Sequence, residues 1–291
     1  MDEQVPQHWS RIVAADLRQA SRRAGELTVV GGRLAGRWWR DVAAWFRFVH
    51  RRKTDTRHAI FPGALRSAEI LAVFCSLVLG LVLIADTLFL TLLNQRDAAT
   101  VALFAHLTRL GDSAWILYLT GTLVLAISLY PARRLKRQRR VWMHGLLLVA
   151  YYLFTTVAFS GLITNLVKNL IGRARPQFVP EGMVWLSRPF ADNYAFAGFP
   201  SGHATTAGAF CVALALLVPR LRVFIVLAGI WIAVSRPVLG VHFPSDIFAG
   251  FVFGGAFSYF YARSFARKRL LFAFRADGGL EPRPLARGRR P

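Results

Sequence analysis

Six apolar runs, at about Ile70–Leu93, Ala114–Tyr130, Val141–Leu166, His203–Val218, Val223–Val238 and Phe243–Tyr261, constrain this 291-residue chain more than any other feature. They approach the ~20 residues an α-helix needs to cross the hydrocarbon core of a bilayer. Unpaired backbone groups cannot face lipid, and no barrel-like alternation is present, so helix is the expected state for all six. The expected fold class is all-α, a bundle of six transmembrane helices within 67–262. A basic segment at 1–66 and a basic tail at 263–291 flank it.

The net charge of +22 would in a soluble protein point to nucleic acid. Its distribution points elsewhere. Of 37 Lys and Arg residues, 30 fall in 1–66, 131–140, 219–222 and 263–291, which are alternate connections of a six-span chain and so share one side. Clustered positive charge marks the cytoplasmic side. Both termini are expected inside, and no nucleic-acid partner is expected. The other seven, Arg96, Arg109, Lys168, Arg173, Arg175, Arg188 and Arg236, fall on the opposite side. The first 60 or so residues hold no apolar stretch of about 7–15 residues with a cleavage site, so the first strong span is expected to act as its own insertion signal. Cys75 and Cys211 lie in apolar runs and read as buried packing residues rather than a disulfide framework.

Within 33–53, Leu34, Trp38, Val42, Trp45 and Val49 share a helical period, with Arg33, Arg37, Arg40, Arg47 and Arg51 rotated by one residue. This amphipathic helix either lies on anionic headgroups or docks on the bundle's cytoplasmic ends. Between the first two spans, Asp97–Asp112 is expected to be a short helix on the outer surface. The outer loop 177–199 is rich in aromatics, which either anchor at the interface or partly cover a site. Gly250, Gly254 and Gly255 in the last span, and Ala204 with Gly208 in the fourth, are small-residue spacings that let helices approach closely.

Three polar clusters sit where apolar segments meet the outer side: Lys168 with Arg175-Pro176, then Pro200-Ser201-Gly202-His203, then Ser235-Arg236 with His242 and Asp246. Pro244 is placed like a first-turn proline, so His242 and Asp246 share one face. A carboxylate on one ring nitrogen fixes the tautomer and frees the other to attack phosphorus. Arg236 can bring a planar fork to the same phosphate, with Ser235 orienting it. Ser201 stands at an N-cap, and the turn it opens presents N–H groups, including that of Gly202, toward an anion. His203 in that turn suits a general acid that later activates water. Lys168 and Arg175, near two helical turns or a turn plus a loop apart, converge on one oxyanion. Asp246 is the only acid in the three clusters, and Glu181 and Asp192 are isolated, so no divalent metal or other cofactor is expected.

These clusters resemble the three signature motifs of the type 2 phosphatidic acid phosphatase (PAP2) superfamily, with every signature position filled over roughly residues 67–262. The outer stretch Thr108-Arg109-Leu110-Gly111-Asp112-Ser113 also resembles bacterial members. The resemblance implies a six-helix membrane phosphatase with its site on the periplasmic side of the bacterial inner membrane. It implies His242 as the nucleophile forming a phosphohistidine, Asp246 as its orienting partner and His203 as general acid. Lys168, Arg175, Ser201, Gly202 and Arg236 would hold the phosphate. The implied substrates are lipid phosphates: undecaprenyl pyrophosphate, phosphatidylglycerophosphate, phosphatidic acid or a lipid A phosphate. Transfer of the phosphoryl group to another lipid or a sugar uses the same intermediate. A non-catalytic anionic-lipid-binding protein would be expected to have lost His203 or His242. The vanadate-dependent haloperoxidase branch would require a large soluble helical domain. Intramembrane Asp86 is costly unless paired or wet; it either holds one of the site arginines or hydrogen-bonds a neighbouring helix.

Overall fold

The structure, a computed structural model, describes residues 50–130, 135–191 and 193–284, with isolated positions between 28 and 47. Leu34, Val42, Trp45 and Val49 of the expected amphipathic helix at 33–53 therefore lie outside the described residues, as do 1–27, 131–134, Asp192 and 285–291. The chain divides into two compact units, one of 1–52 with 126–131 and the other of 53–125 with 132–291. In the first, Trp38 and Trp39 meet edge to face at 4.8 Å.

The architecture is mostly helical: α1 (Ala64–Gly80), α2 (Asp86–Leu92), α3 (Ala98–Leu107), α4 (Ser113–Leu129), α5 (Arg137–Ile171), α6 (Gly202–Leu217), α7 (Arg222–Val238) and α8 (Pro244–Arg267). A π-turn, Leu81–Ala85, joins α1 to α2 without breaking the rod. By length and composition, four helical segments among the described residues can cross a bilayer: Ala64–Gln95, Ala98–Leu129, Arg137–Ile171 and Pro219–Val238. The second of these segments joins two helices that extended backbone at Asp112 (ψ 127°) separates: α4 matches the expected span at 114–130, and α3 with the 3-10 turn Thr108–Gly111 matches the short helix expected at Asp97–Asp112.

The other two expected spans, α6 and α8, are not among these four; they are the helices in closest mutual contact. α6 has 16 residues, about 24 Å of rise, and packs through Ala204, Ala207, Gly208, Ala209 and Ala213. A Cβ on Gly208 would meet the Phe251 carbonyl oxygen at 2.2 Å, and one on Gly254 the Thr205 carbonyl oxygen at 2.2 Å. Helices whose backbones touch are built from small residues rather than leucine. Large apolar side chains of α1, α4 and α7 instead face outward, as Leu77, Leu125 and Phe224 do. Cys211 is buried, but Cys75 is exposed on the outward face of α1, which departs from the expectation of two buried thiols.

The chain past α8 is not a plain basic tail. Strands β1 (Phe272–Phe274) and β2 (Leu280–Pro282) pair antiparallel, with Phe272 opposite Pro282 and Phe274 opposite Leu280. Gly278, at φ 79°, makes the turn, and Asp277 accepts the Gly279 amide at 2.8 Å. Phe272 is fully buried, edge-on to Tyr152 at 5.2 Å, in a cluster with Leu153, Phe265 and Leu271. Residues 53–66 also belong with the helices: the Asp55 amide donates to Arg267 and the Arg263 guanidinium to the Ala59 carbonyl.

Candidate functional site

The site is assembled from three chain reversals. At the first, α5 ends on Gly172 in the left-handed region, φ 58°, where a Cβ would lie 2.0 Å from the Arg188 carbonyl oxygen. Only glycine turns the chain there. Lys168 stays on the last helical turn while Arg173 and Arg175 follow in extended chain, so the pair is separated by a turn plus a loop. Arg175 donates from Nε to the Tyr194 carbonyl at 3.0 Å and from Nη1 to the Val241 carbonyl at 3.3 Å. Its guanidinium lies 3.8 Å from the Tyr194 ring centroid. The aromatic loop thus braces this arginine directly.

At the second, Ser201 caps α6 by accepting the Ala204 amide at 3.4 Å. Its own amide donates to the Asp246 carbonyl at 3.1 Å. The first amides of a helix have no intrahelical acceptor, which leaves those of Gly202 and His203 directed outward from the helix start. Lys168 Nζ lies 3.7 Å from where a Gly202 Cβ would be.

At the third, α7 ends just past Pro237, and Gly240 at φ 74° reverses the chain. Arg96 spans this turn, donating to the Val238 carbonyl at 2.8 Å and filling the space a Gly240 Cβ would need. Arg236 donates to Thr108 Oγ1 at 3.0 Å, and its buried Nε has no acceptor among the described residues. Ser235, expected to orient Arg236, makes no hydrogen bond to it among the described residues. It is fully buried and donates to the Ile232 carbonyl at 2.5 Å, the usual outlet for a hydroxyl inside a helix.

His242 precedes α8 with Pro244 at its start, and its Nδ1 lies 3.5 Å from Asp246 Oδ2. No aligned hydrogen bond reaches that nitrogen among the described residues. Asp246 is held from both ends. Oδ2 accepts the Phe243 amide at 2.9 Å and Oδ1 accepts Arg173 Nη1 at 2.6 Å. Arg173, fully buried, also donates to Ser245 Oγ at 2.7 Å, to Asp86 Oδ2 at 2.8 Å and to the Val184 carbonyl at 2.6 Å. Its guanidinium is sandwiched between the Trp185 and Phe243 rings at 4.5 and 4.3 Å.

The eight residues expected at the site come together. Lys168 is within electrostatic range of Arg175, Arg236 and Asp246, and His203 of Lys168, Arg175, Arg236 and Asp112. His242 faces Asp246, Arg175 and Arg236. Burial holds the His242 imidazole down at about 4 against the opposing pull of Asp246, so it is neutral at neutral pH. Lys168, Gly202, His203 and Arg236 are half-buried, while His242, Asp246, Ser201 and Arg175 are buried. Among the described residues, no group of three or more His, Cys, Asp or Glu is placed to hold a metal.

The sequence reading missed Arg173, Thr108 and Arg96 as parts of this assembly. Asp86 was open between two roles; it pairs with an arginine, but with Arg173 rather than with either arginine of the clusters. The available signal was the cost of an intramembrane carboxylate, which demands a cation somewhere.

The PAP2 superfamily model matches residues 149–270, which contain all three clusters. The lipid A 1-phosphatase of Rhizobium etli is 42% identical over 187 residues, 64% of this chain and 80% of that protein. The lipid A 1-phosphatase of Rhizobium johnstonii is 43% identical over 174 residues, 59% of this chain and 70% of that protein. Among solved structures, the PAP2-type phosphatidylglycerolphosphate phosphatase from Bacillus subtilis superposes with a TM-score of 0.47 at 20% identity, covering 67% of this chain and 94% of that one. Matched over most of the length of its relatives and carrying each cluster within the family's span, this integral membrane chain belongs to the PAP2 superfamily and is a lipid phosphatase of that type.

Proposed function

We propose that this phosphatase removes the 1-phosphate of lipid A at the periplasmic face of the inner membrane, through a phosphohistidine on His242. The observation that carries the reading is the convergence of one neutral, buried imidazole with three cations and a second imidazole. The names of the two Rhizobium relatives support lipid A as substrate. The concentration of basic residues in alternate connections supports the periplasmic placement, with both termini inside. In this reading residues 67–262 form the catalytic core, and α6 and α8 complete a set of six spans as its central pair.

Lys168, Arg175, Arg236 and the amides of Gly202 and His203 hold the phosphate oxygens. Arg236 Nε is a buried donor without an acceptor among the described residues, which an anion would satisfy. The Nε2 lone pair of His242 forms a bond to phosphorus as the bond to the lipid oxygen breaks. That oxygen keeps the electron pair and takes a proton from His203. Asp246, on the Nδ1 side, stabilises the positive charge that develops on the ring. A water then attacks, giving its proton to His203 while the P–N pair returns to His242, and inorganic phosphate leaves. No step requires a metal.

The test is phosphate release by the purified protein in detergent from lipid A, phosphatidylglycerophosphate, phosphatidic acid and undecaprenyl pyrophosphate, with mass spectrometry locating the phosphate lost. The expected result is highest kcat/KM on lipid A with loss confined to the 1-position. Preference for a glycerophospholipid, or reappearance of the phosphate on an acceptor lipid, overturns the assignment.

A further inference from the structure

Two charged groups near this site have no part in the mechanism above, yet both are fully buried: Asp86 at the start of α2 and Arg173 in the chain after α5. An ion pair withdrawn from water is an expensive way to hold helices together, since apolar residues of similar volume do so at least as well. Here one guanidinium serves two carboxylates, Asp86 at 2.8 Å and Asp246 at 2.6 Å. Asp86 also accepts the Ser245 amide at 3.0 Å and the Ser245 hydroxyl at 2.5 Å, so it caps the start of α8 from another helix. The π-turn immediately before Asp86 rotates this carboxylate relative to the run of α1, and such turns recur at functional positions.

We propose that Asp86 and Arg173 are positioning residues for the reaction, acting on His242 through Asp246. This deepens the reading above and rests on it. Arg173 fixes one oxygen of Asp246, and the Phe243 amide fixes the other, so the carboxylate cannot rotate away from Nδ1 of His242. An arginine alone at that distance would cancel much of the charge that Asp246 offers the ring. Asp86 compensates: two carboxylates and one guanidinium leave the group with a net negative charge. That surplus stabilises the phosphorylated, positively charged imidazole. A purely structural pair would have no need of the second acid.

The test is a double-mutant cycle on kcat and KM with a lipid phosphate in detergent, using Asp86→Asn, Asp246→Asn and the double variant, with Arg173→Lys alongside. Inhibition by inorganic phosphate reports on the integrity of the anion pocket in each variant. The expected result for Asp86→Asn is a fall in kcat of about tenfold, KM and the phosphate inhibition constant staying within about twofold. The double variant should be no slower than Asp246→Asn alone, and Arg173→Lys should lose kcat while keeping phosphate affinity. Losses at 86 and 246 that multiply independently overturn the proposal. So does a loss of phosphate affinity that parallels the loss of kcat, because the effect is then one of folding. Failure of the phosphatase reading itself would appear in the wild type, as absence of phosphate release.

Discussion

The amide of Ser201 donates to the carbonyl of Asp246 at 3.1 Å, so the start of α6 and the start of α8 are stitched backbone to backbone. The contact exists because Gly250 lets the helices close: a Cβ there would meet the Ser201 carbonyl oxygen at 2.5 Å. The turn bearing His203 and the turn bearing His242 are thereby tied to each other. Small residues in the α6–α8 seam set the spacing of the candidate catalytic groups.

Replacing Gly254 by Val tests that seam. Its Cβ would overlap the Thr205 carbonyl, and overpacking of this kind costs about 1–3 kcal/mol. Thermal unfolding in detergent should show a lowered midpoint with reduced kcat. Gly161→Ala on α5, where nothing lies within 4 Å of the added Cβ, should leave both unchanged or slightly raise the midpoint.

The two imidazoles should fail differently. His242→Ala removes the proposed nucleophile, and kcat should drop by at least about 10³-fold with no acid-labile phosphoenzyme trapped by rapid quench. His203→Ala removes the proposed proton donor and should cost about 10²–10⁴-fold. It should still form phosphoenzyme from a substrate whose leaving group needs no proton. Normal phosphate release by His242→Ala sinks the assignment.

The pH response follows from the burial of His242. Its folded value of about 4 lies below the ordinary 6.5, so the ring stays neutral, and able to attack, down to far lower pH than a free histidine. The acid limb of kcat/KM should accordingly fall well below pH 6, and because burial and Arg236 hold His203 at about 4 as well, loss of its protonated form should set a basic limb that also begins at low pH. The sign for stability is the same. The unfolded ring takes a proton at about 6.5 and the folded one resists until about 4, so stability present above 6.5 is lost as pH falls through that window. Thermal midpoints measured from pH 7.5 to 4.5 should decline, and less so for His242→Gln.

Thr108 accepts from Arg236 at 3.0 Å across 128 residues of sequence. Thr108→Val keeps the shape and removes the acceptor. A hydrogen bond to a charged group is worth about 1.5–3 kcal/mol, and kcat/KM should fall about tenfold or more. Unchanged kinetics would mean that the anion alone orients this arginine.

Chelation is the remaining check. The cations of the site are Lys168, Arg175 and Arg236, so EDTA dialysis should leave kcat unchanged. Loss of activity restored by a divalent ion contradicts the metal-free mechanism.

What could be read along the chain was local chemistry. His242 and Asp246 are four residues apart on one helix start, Ser201 caps the helix it opens, and Gly202 lies next to it. Relations within one turn follow from backbone geometry alone. The helical state of the apolar runs was equally legible, since lipid leaves the backbone no alternative. The hairpin at Phe272–Pro282 was not, because strands of three residues persist only when a core such as that around Tyr152 receives them. Nor was the pairing of Arg173, two positions before an arginine that was singled out. Nothing in its neighbours distinguishes it, and its partners Asp86 and Asp246 lie 87 and 73 residues away. Sequence alone determined which groups are present and which are neighbours within a turn. Which buried charge answers which was decided only when three helix ends met, because a buried ion finds its counter-ion through space, across whatever length of chain the packing brings near.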